Sequence, residues 1–289
     1  MKYSPDAYLL HESNRFITFN IRIKVVMKDP VAPEALRSAA EKAFCRFPYY
    51  SKQIHIDEEG GIDLVPNPRT IRVSPVSLKR TYLFSEKVNY QPCSIEYEDN
   101  CIYFNMYHGM CGGCGTFLWI KTTVYEYICA NYGVHPEPGT TIMADTPVSE
   151  EEYAYETLRR FYDYTDVVDG VKGLKNKNKY ASKYSHRVPD VHNSVLINYV
   201  GREDWGGMTQ YVERAHVITD AHLLFEILDV GDNFCISLMQ MNKKTKYMDY
   251  FCQILEEENI PYKILGMFKN HLPISKVKSA PIYNGNETL

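Results

Sequence analysis

From residue 16 to residue 26 the chain alternates, with Phe16, Thr18, Asn20, Arg22 and Lys24 on one side and Ile17, Phe19, Ile21, Ile23 and Val25 on the other. A period of two predicts a strand with one face in a core. Asp29-Pro30-Val31-Ala32-Pro33 breaks it, and Pro33 suits the first position of a helix. Over residues 34–44 the spacing changes to the helical one, with Leu36, Ala39, Ala40, Ala43 and Phe44 on one face. Arg46-Phe47-Pro48-Tyr49 stops that helix, because a residue before proline avoids the α region. Strands are predicted over 50–56 and 62–65, joined at Glu59-Gly60-Gly61, and residues 66–92 are read as irregular. Residues 93–97 and 101–107 form a hairpin across Glu98-Asp99-Asn100. A loop with four glycines, 109–115, leads into a helix over 116–131 that Gly133 terminates.

Residues 134–192 are polar. Ser149-Glu150-Glu151-Glu152 is a helix start, a helix is predicted near 150–162, and the lysines of 172–183 read as a solvated loop. Regular patterning returns with strands over 194–200, 215–218, 223–230 and 234–241, a helix over 245–258 and a short strand over 262–265. Residues 270–289 read as a loose tail. Helices and strands are interspersed without βαβ alternation, and no G-x-G-x-x-G follows a strand, so the expected fold is a two-layer α/β sandwich with mixed sheets. The pattern divides the chain into 1–133, a polar insertion or linker at 134–192, a C-terminal subdomain at 193–268 and the tail from 269.

Composition changes this picture little. A net charge of −4 gives no basic surface for nucleic acid. No run approaches the ~20 apolar residues of a membrane span, and Met1 to Asp6 lack the apolar stretch of a signal peptide, so a cytoplasmic chain with reduced thiols is expected. Six of the eight cysteines (Cys45, Cys93, Cys101, Cys129, Cys235, Cys252) have apolar neighbours and read as small core residues. The 24 tyrosines suit half-wet sheet faces and clefts.

The chemistry concentrates after the strand that ends at Tyr107. His108 stands at its exit, and the glycines behind it allow close backbone approach. With an ordinary pKa near 6.5, His108 is a candidate general base. Cys111-Gly112-Gly113-Cys114 is a C-x-x-C at a helix N-terminus, a setting that lowers a thiol pKa and suits redox work. His108, Cys111 and Cys114 also offer three metal ligands, but a structural zinc needs a fourth and none is in sight, so no metal is expected.

The string His108-Gly109-Met110-Cys111-Gly112-Gly113-Cys114-Gly115-Thr116-Phe117-Leu118 resembles the His-x-x-x-Asp-Gly motif and helix of the chloramphenicol-acetyltransferase-like superfamily, in its condensation-domain and alcohol-acetyltransferase branch. Residues 35–50, with the Arg46-Phe47-Pro48 exit, resemble that family's first helix; residues 89–95 resemble the segment before the motif hairpin; Asn198-Tyr199-Val200-Gly201 resembles a later strand. The resemblance covers about 14–133 and 193–266.

It implies direct acyl transfer from acyl-CoA or a carrier-protein thioester to a hydroxyl or amine of a small-molecule acceptor. His108 would be the base and Asn198 an oxyanion donor, with Gly109, Cys111, Gly112 and Gly113 forming the motif loop. No cofactor is held tightly; acyl-CoA is a co-substrate. Two departures stand out. Gly112 occupies the place of the family's Asp, which in relatives holds the loop through an ion pair with an Arg. The chain is also shorter than two-subdomain relatives, so its tunnel is either incomplete or completed by another subunit of a homo-oligomer. The runner-up is a binding or assembly protein of the same fold that lost activity with that Asp, and the third reading is a Cys111/Cys114 thiol redox protein. Asp204-Trp205-Gly206-Gly207 only faintly echoes the family's second motif and is given no role.

Overall fold

The computed structural model describes residues 7, 9–10, 18–153, 196–200, 204–219, 223–240, 245–267 and 272–283. Its centre is a five-stranded sheet. β1 (Asn20–Met27), β6 (Cys93–Glu98), β7 (Cys101–Tyr107) and β9 (Val212–Thr219) run antiparallel to their neighbours, and β4 (Val73–Pro75) is added parallel to β6, in the order β4-β6-β7-β1-β9. A three-stranded sheet, β11-β10-β8, joins β10 (Leu223–Val230) antiparallel to β11 (Asn233–Gln240) and parallel to β8 (Leu196–Tyr199). β2 (Lys52–Ile56) and β3 (Ile62–Pro66) form a hairpin. The fold is thus mixed α/β with mixed sheets, as the element pattern predicted.

The period-two pattern of the first strand explains the layering. Ile21, Ile23 and Val25 pair with Met106, Phe104 and Ile102, and all are buried. Helices α1 (Pro33–Cys45) and α2 (Gly113–Tyr132) cover this face. The Trp119 ring of α2 meets Phe104 edge-on at 5.2 Å and Phe44 of α1 at 6.1 Å. The small side chains Ala39, Ala40 and Ala43 lie buried on α1.

The other face is polar but not wet. Arg22, Asn105 and Glu96 are buried on it. Arg22 forms an ion pair with Glu96, its Nε donates to Asn105 Oδ1 at 2.7 Å, and Asn105 Nδ2 donates to Glu96 Oε2 at 2.9 Å. Thr81 Oγ1 donates to the second oxygen of Glu96 at 2.7 Å. Burial depresses the Arg22 pKa, and the Glu96 carboxylate opposes that shift. A charge so placed is stable only while its partner is present.

Several expectations are corrected. The first strand starts at Asn20, because Phe19 has φ 49° and turns the backbone out of the extended region. Residues 66–92 carry β4, β5 (Tyr82–Leu83) and a 3-10 turn at Glu86–Val88. Residues 262–265 form no strand; their place at the end of the chain is taken by β12 (Ile274–Ser275), parallel to β5. That strand lies in the expected loose tail, yet Asn20 Nδ2 donates to Pro273 O at 2.7 Å and Ser275 Oγ to Asn20 Oδ1 at 3.1 Å. β9, which follows residue 193 in the chain, is hydrogen-bonded to β1 in the central sheet. Cys93, Cys235 and Cys252 are buried, Cys101 and Cys129 are half-buried, and Cys45 is exposed, because Ala43 and Phe44 take the inward face at the end of α1. Among the described residues no helix is long and apolar enough to cross a membrane. The expected helix near 150–162 is seen only to residue 153, and the lysine run lies outside the described residues.

The buried pair gives a direct test. Glu96→Ala, which strands the Arg22 guanidinium, should cost about 3–5 kcal/mol in urea unfolding, while replacing both residues by methionine should cost clearly less. A loss under about 1 kcal/mol for Glu96→Ala would contradict the account of this face.

Candidate active site

β7 is the middle strand of the central sheet, and His108 is the first residue beyond it. Its position is fixed from both sides. The His108 N–H donates to Phe19 O at 2.9 Å, and Met110 N–H donates to Tyr107 O at 3.0 Å, closing a tight turn. Tyr107 and Met110 are fully buried, whereas the His108 side chain between them reaches solvent. Protein nonetheless crowds the imidazole, and that desolvation pushes its pKa below the ordinary value, against a smaller opposing effect of its own backbone. A lowered pKa favours the neutral ring, which is the form that can accept a proton.

The helix behind the loop starts at Gly113, three residues earlier than the sequence suggested, with Gly112 as N-cap. Thr116 closes the first turn, its N–H and Oγ1 both donating to Gly112 O at 3.0 Å. Cys111 Sγ lies 3.3 Å from Thr116 Oγ1, and it is near enough to Cys93 to add to the rise that burial imposes on the Cys93 pKa. Gly112 has extended backbone, φ −79° and ψ −175°, with nothing within 4 Å of an added Cβ. Gly115 is different. A Cβ there would stand 2.8 Å from Cys111 Cβ and 3.1 Å from the Tyr50 hydroxyl. The glycine that the loop needs is therefore Gly115, while Gly112 leaves room for a side chain.

Asn198 lies on β8, exposed, with Nδ2 donating to Glu226 Oε2 at 2.8 Å. Burial raises the Glu226 pKa and this hydrogen bond opposes the rise. Val200, two residues on, has Cγ1 3.6 Å from where a Gly113 Cβ would be, so the end of β8 packs on the start of α2. The same sheet supplies Ser237 Oγ, 3.2 Å from His216 Nδ1 on β9. Burial lowers the His216 pKa to about 4, with Arg214 and Lys24 contributing. Trp205 of the faint second motif is buried against Phe117 and donates Nε1 to Asp229 O at 3.3 Å, a packing role.

Sequence reasoning did not single out Glu152 or Tyr50. Among the described residues the three buried arginines, Arg22, Arg46 and Arg69, all have partners. The partner of Arg46 is Glu152, whose carboxylate receives both terminal guanidinium nitrogens at 2.8 and 2.7 Å. Ser149-x-x-Glu152 does form the expected cap, with Glu152 N–H donating to Ser149 Oγ at 3.0 Å, but the carboxylate reaches across the molecule instead of back along its own turn. Among the described residues no group of three or more His, Cys, Asp or Glu side chains is arranged to hold a metal.

No family model and no curated protein matches the chain. Solved structures do. A variant of the starter condensation domain of rhizomide synthetase superposes over 89% of this chain and 95% of its own, with TM-score 0.49 and 10% identity. Polyketide synthase associated protein 5 from Mycobacterium tuberculosis superposes over 52% and 38%, with TM-score 0.35 and 17% identity. The rhizomide domain in complex with C8-CoA superposes over 40% and 32%, with TM-score 0.30 and 14% identity. In the last two the chain spans well under half the length of its neighbour.

The contrast between the loop glycines can be measured. Gly115→Ala should lose about 1–3 kcal/mol on unfolding, since the new methyl overpacks Cys111. Gly112→Ser should stay within a few tenths of a kcal/mol of the parent, as an N-cap position with free space allows. Equal behaviour of the two variants would contradict this geometry. At its core the candidate site is an exposed histidine at the exit of the central strand, its pKa lowered by desolvation.

Proposed function

We propose that the chain is an acyltransferase, moving an acyl group from acyl-CoA or a carrier-protein thioester to a hydroxyl or amine, with His108 as general base. The observation that carries this reading is the placement of His108: on the exit of the central strand, open to solvent, its pKa lowered by the protein around the ring, and backed by a helix N-terminus against which Val200, just past β8, packs at Gly113.

The imidazole takes the proton of the acceptor O–H or N–H as that atom attacks the thioester carbonyl. The tetrahedral oxyanion then collapses, the C–S bond breaks, and the departing thiolate recovers the proton from the imidazolium. The products are the acylated acceptor and a free thiol. Asn198 Nδ2 carries two hydrogens, of which Glu226 takes one, so the second is free to serve the oxyanion in this scheme. Acyl-CoA is a co-substrate here and needs no resident cofactor. A binding or assembly role for the same fold is the second reading, favoured by the absence of a carboxylate at Gly112.

C8-CoA is the natural first donor, offered with a panel of alcohols and amines. Free thiol should be released with acceptor present, and His108→Ala should lower that rate by about 10²–10⁴-fold. An unchanged rate in His108→Ala would remove His108 from the mechanism, and no acceptor-dependent release from the parent would favour the binding role.

A further inference from the structure

The segment from His108 to Gly115, the loop together with the first turn of α2, contains no acidic or basic residue besides His108 itself, so it cannot anchor itself by an ion pair. One of its outside anchors is the Tyr50 hydroxyl, which donates to Gly115 O at 3.1 Å and is buried. Tyr50 follows the exit of α1, where Arg46 is 4% exposed. That guanidinium has Glu152 as the acceptor of both terminal nitrogens, and its Nε is buried without a hydrogen-bond partner among the described residues. The Tyr49 hydroxyl donates to the same carboxylate at 2.8 Å.

Two ring contacts carry this arrangement to Tyr50. Tyr49 meets it edge-on at 4.7 Å, and Phe47, under the Arg46 guanidinium, stacks on it at 5.8 Å. The Tyr50 hydroxyl in turn sits where Gly115 and Cys111 approach closely. A carboxylate from 106 residues downstream of Arg46 thus ends a continuous path to the reaction loop.

We propose that Glu152 is a positioning residue for the His108 loop, acting through Arg46, Tyr49 and Tyr50 to hold Gly115 and Cys111 in place. Its catalytic consequence rests on the acyl-transfer reading; its effect on the loop does not. Removing the carboxylate's charge leaves a buried guanidinium unpaired, and the aromatic pair above it loses its fixed point, so the loop opens more often.

The test is peptide-resolved alkylation by iodoacetamide at neutral pH on the full chain. Cys111 reports the loop, and the half-buried Cys101 and Cys129 report the rest of the fold. In Glu152→Gln, Cys111 should react about tenfold faster than in the parent, with Cys101 and Cys129 unchanged, as local opening requires. Tyr50→Phe should reproduce the Cys111 effect, and the double variant should add little to the larger single effect, because both act along one path. Where C8-CoA turnover is present, kcat should fall in the same variants with KM little changed. An unaltered Cys111 rate in Glu152→Gln, equal acceleration of all three thiols, or fully additive effects would each overturn the proposal. If the parent has no acyl-transfer activity, the Cys111 rates still decide it.

Discussion

A guanidinium buried in a sheet face sets the geometry on which the rest depends. Arg22 on β1 faces Asn105 on β7 and Glu96 on β6, so one charged cluster ties three adjacent strands in a single register. A slip of one residue would turn Arg22 into the apolar layer under α1 and α2 and bring Ile21 or Ile23 to the polar side. The register in turn sets where β7 ends and which residue of β1 lies beside that end. Phe19 O meets His108 N–H only in this pairing. The chemistry of the candidate site is therefore located by a charge pair on the opposite side of the sheet from the helices.

A second buried arginine shapes the other end of the site. Arg46, like Arg22, is kept charged in the interior by one carboxylate, and both clusters draw on distant chain: Glu96 from the motif hairpin, Glu152 from the polar stretch that follows α2. Among the described residues no buried arginine lacks an acceptor, so none is a stranded charge of the kind that would cost several kcal/mol.

Much of this was legible from residue order. Alternation in β1, the alanine face of α1, Pro33 at a helix start and Gly133 at a helix end, with φ 67°, are local signals, and local signals survive folding. His108 at a strand exit came from the same patterning. What failed depended on contacts distant in sequence. The alternation in β1 marks its even face only as polar, and that Thr81 and residues 273–275 cover part of that face is decided by distant contacts. The C-terminal residues read as loose because β12 is only two residues long and exists by pairing with β5. Glu152 read as a cap residue, which its N–H is, while its carboxylate serves Arg46. The place of Asn198 beside Glu226 follows from a parallel pairing of β8 with β10 that no local pattern encodes.

The central proposal is that His108, reached by solvent at the end of the central strand, serves as the general base. Proton NMR titration of its ring C–H signals, assigned with His108→Gln, tests this most directly, with a thioether analogue of C8-CoA added in a parallel sample. The account predicts a pKa below the ordinary 6.5 in the free protein and a shift of the His108 signals when the analogue binds. A pKa at or above 6.5, with signals indifferent to the analogue, would contradict it.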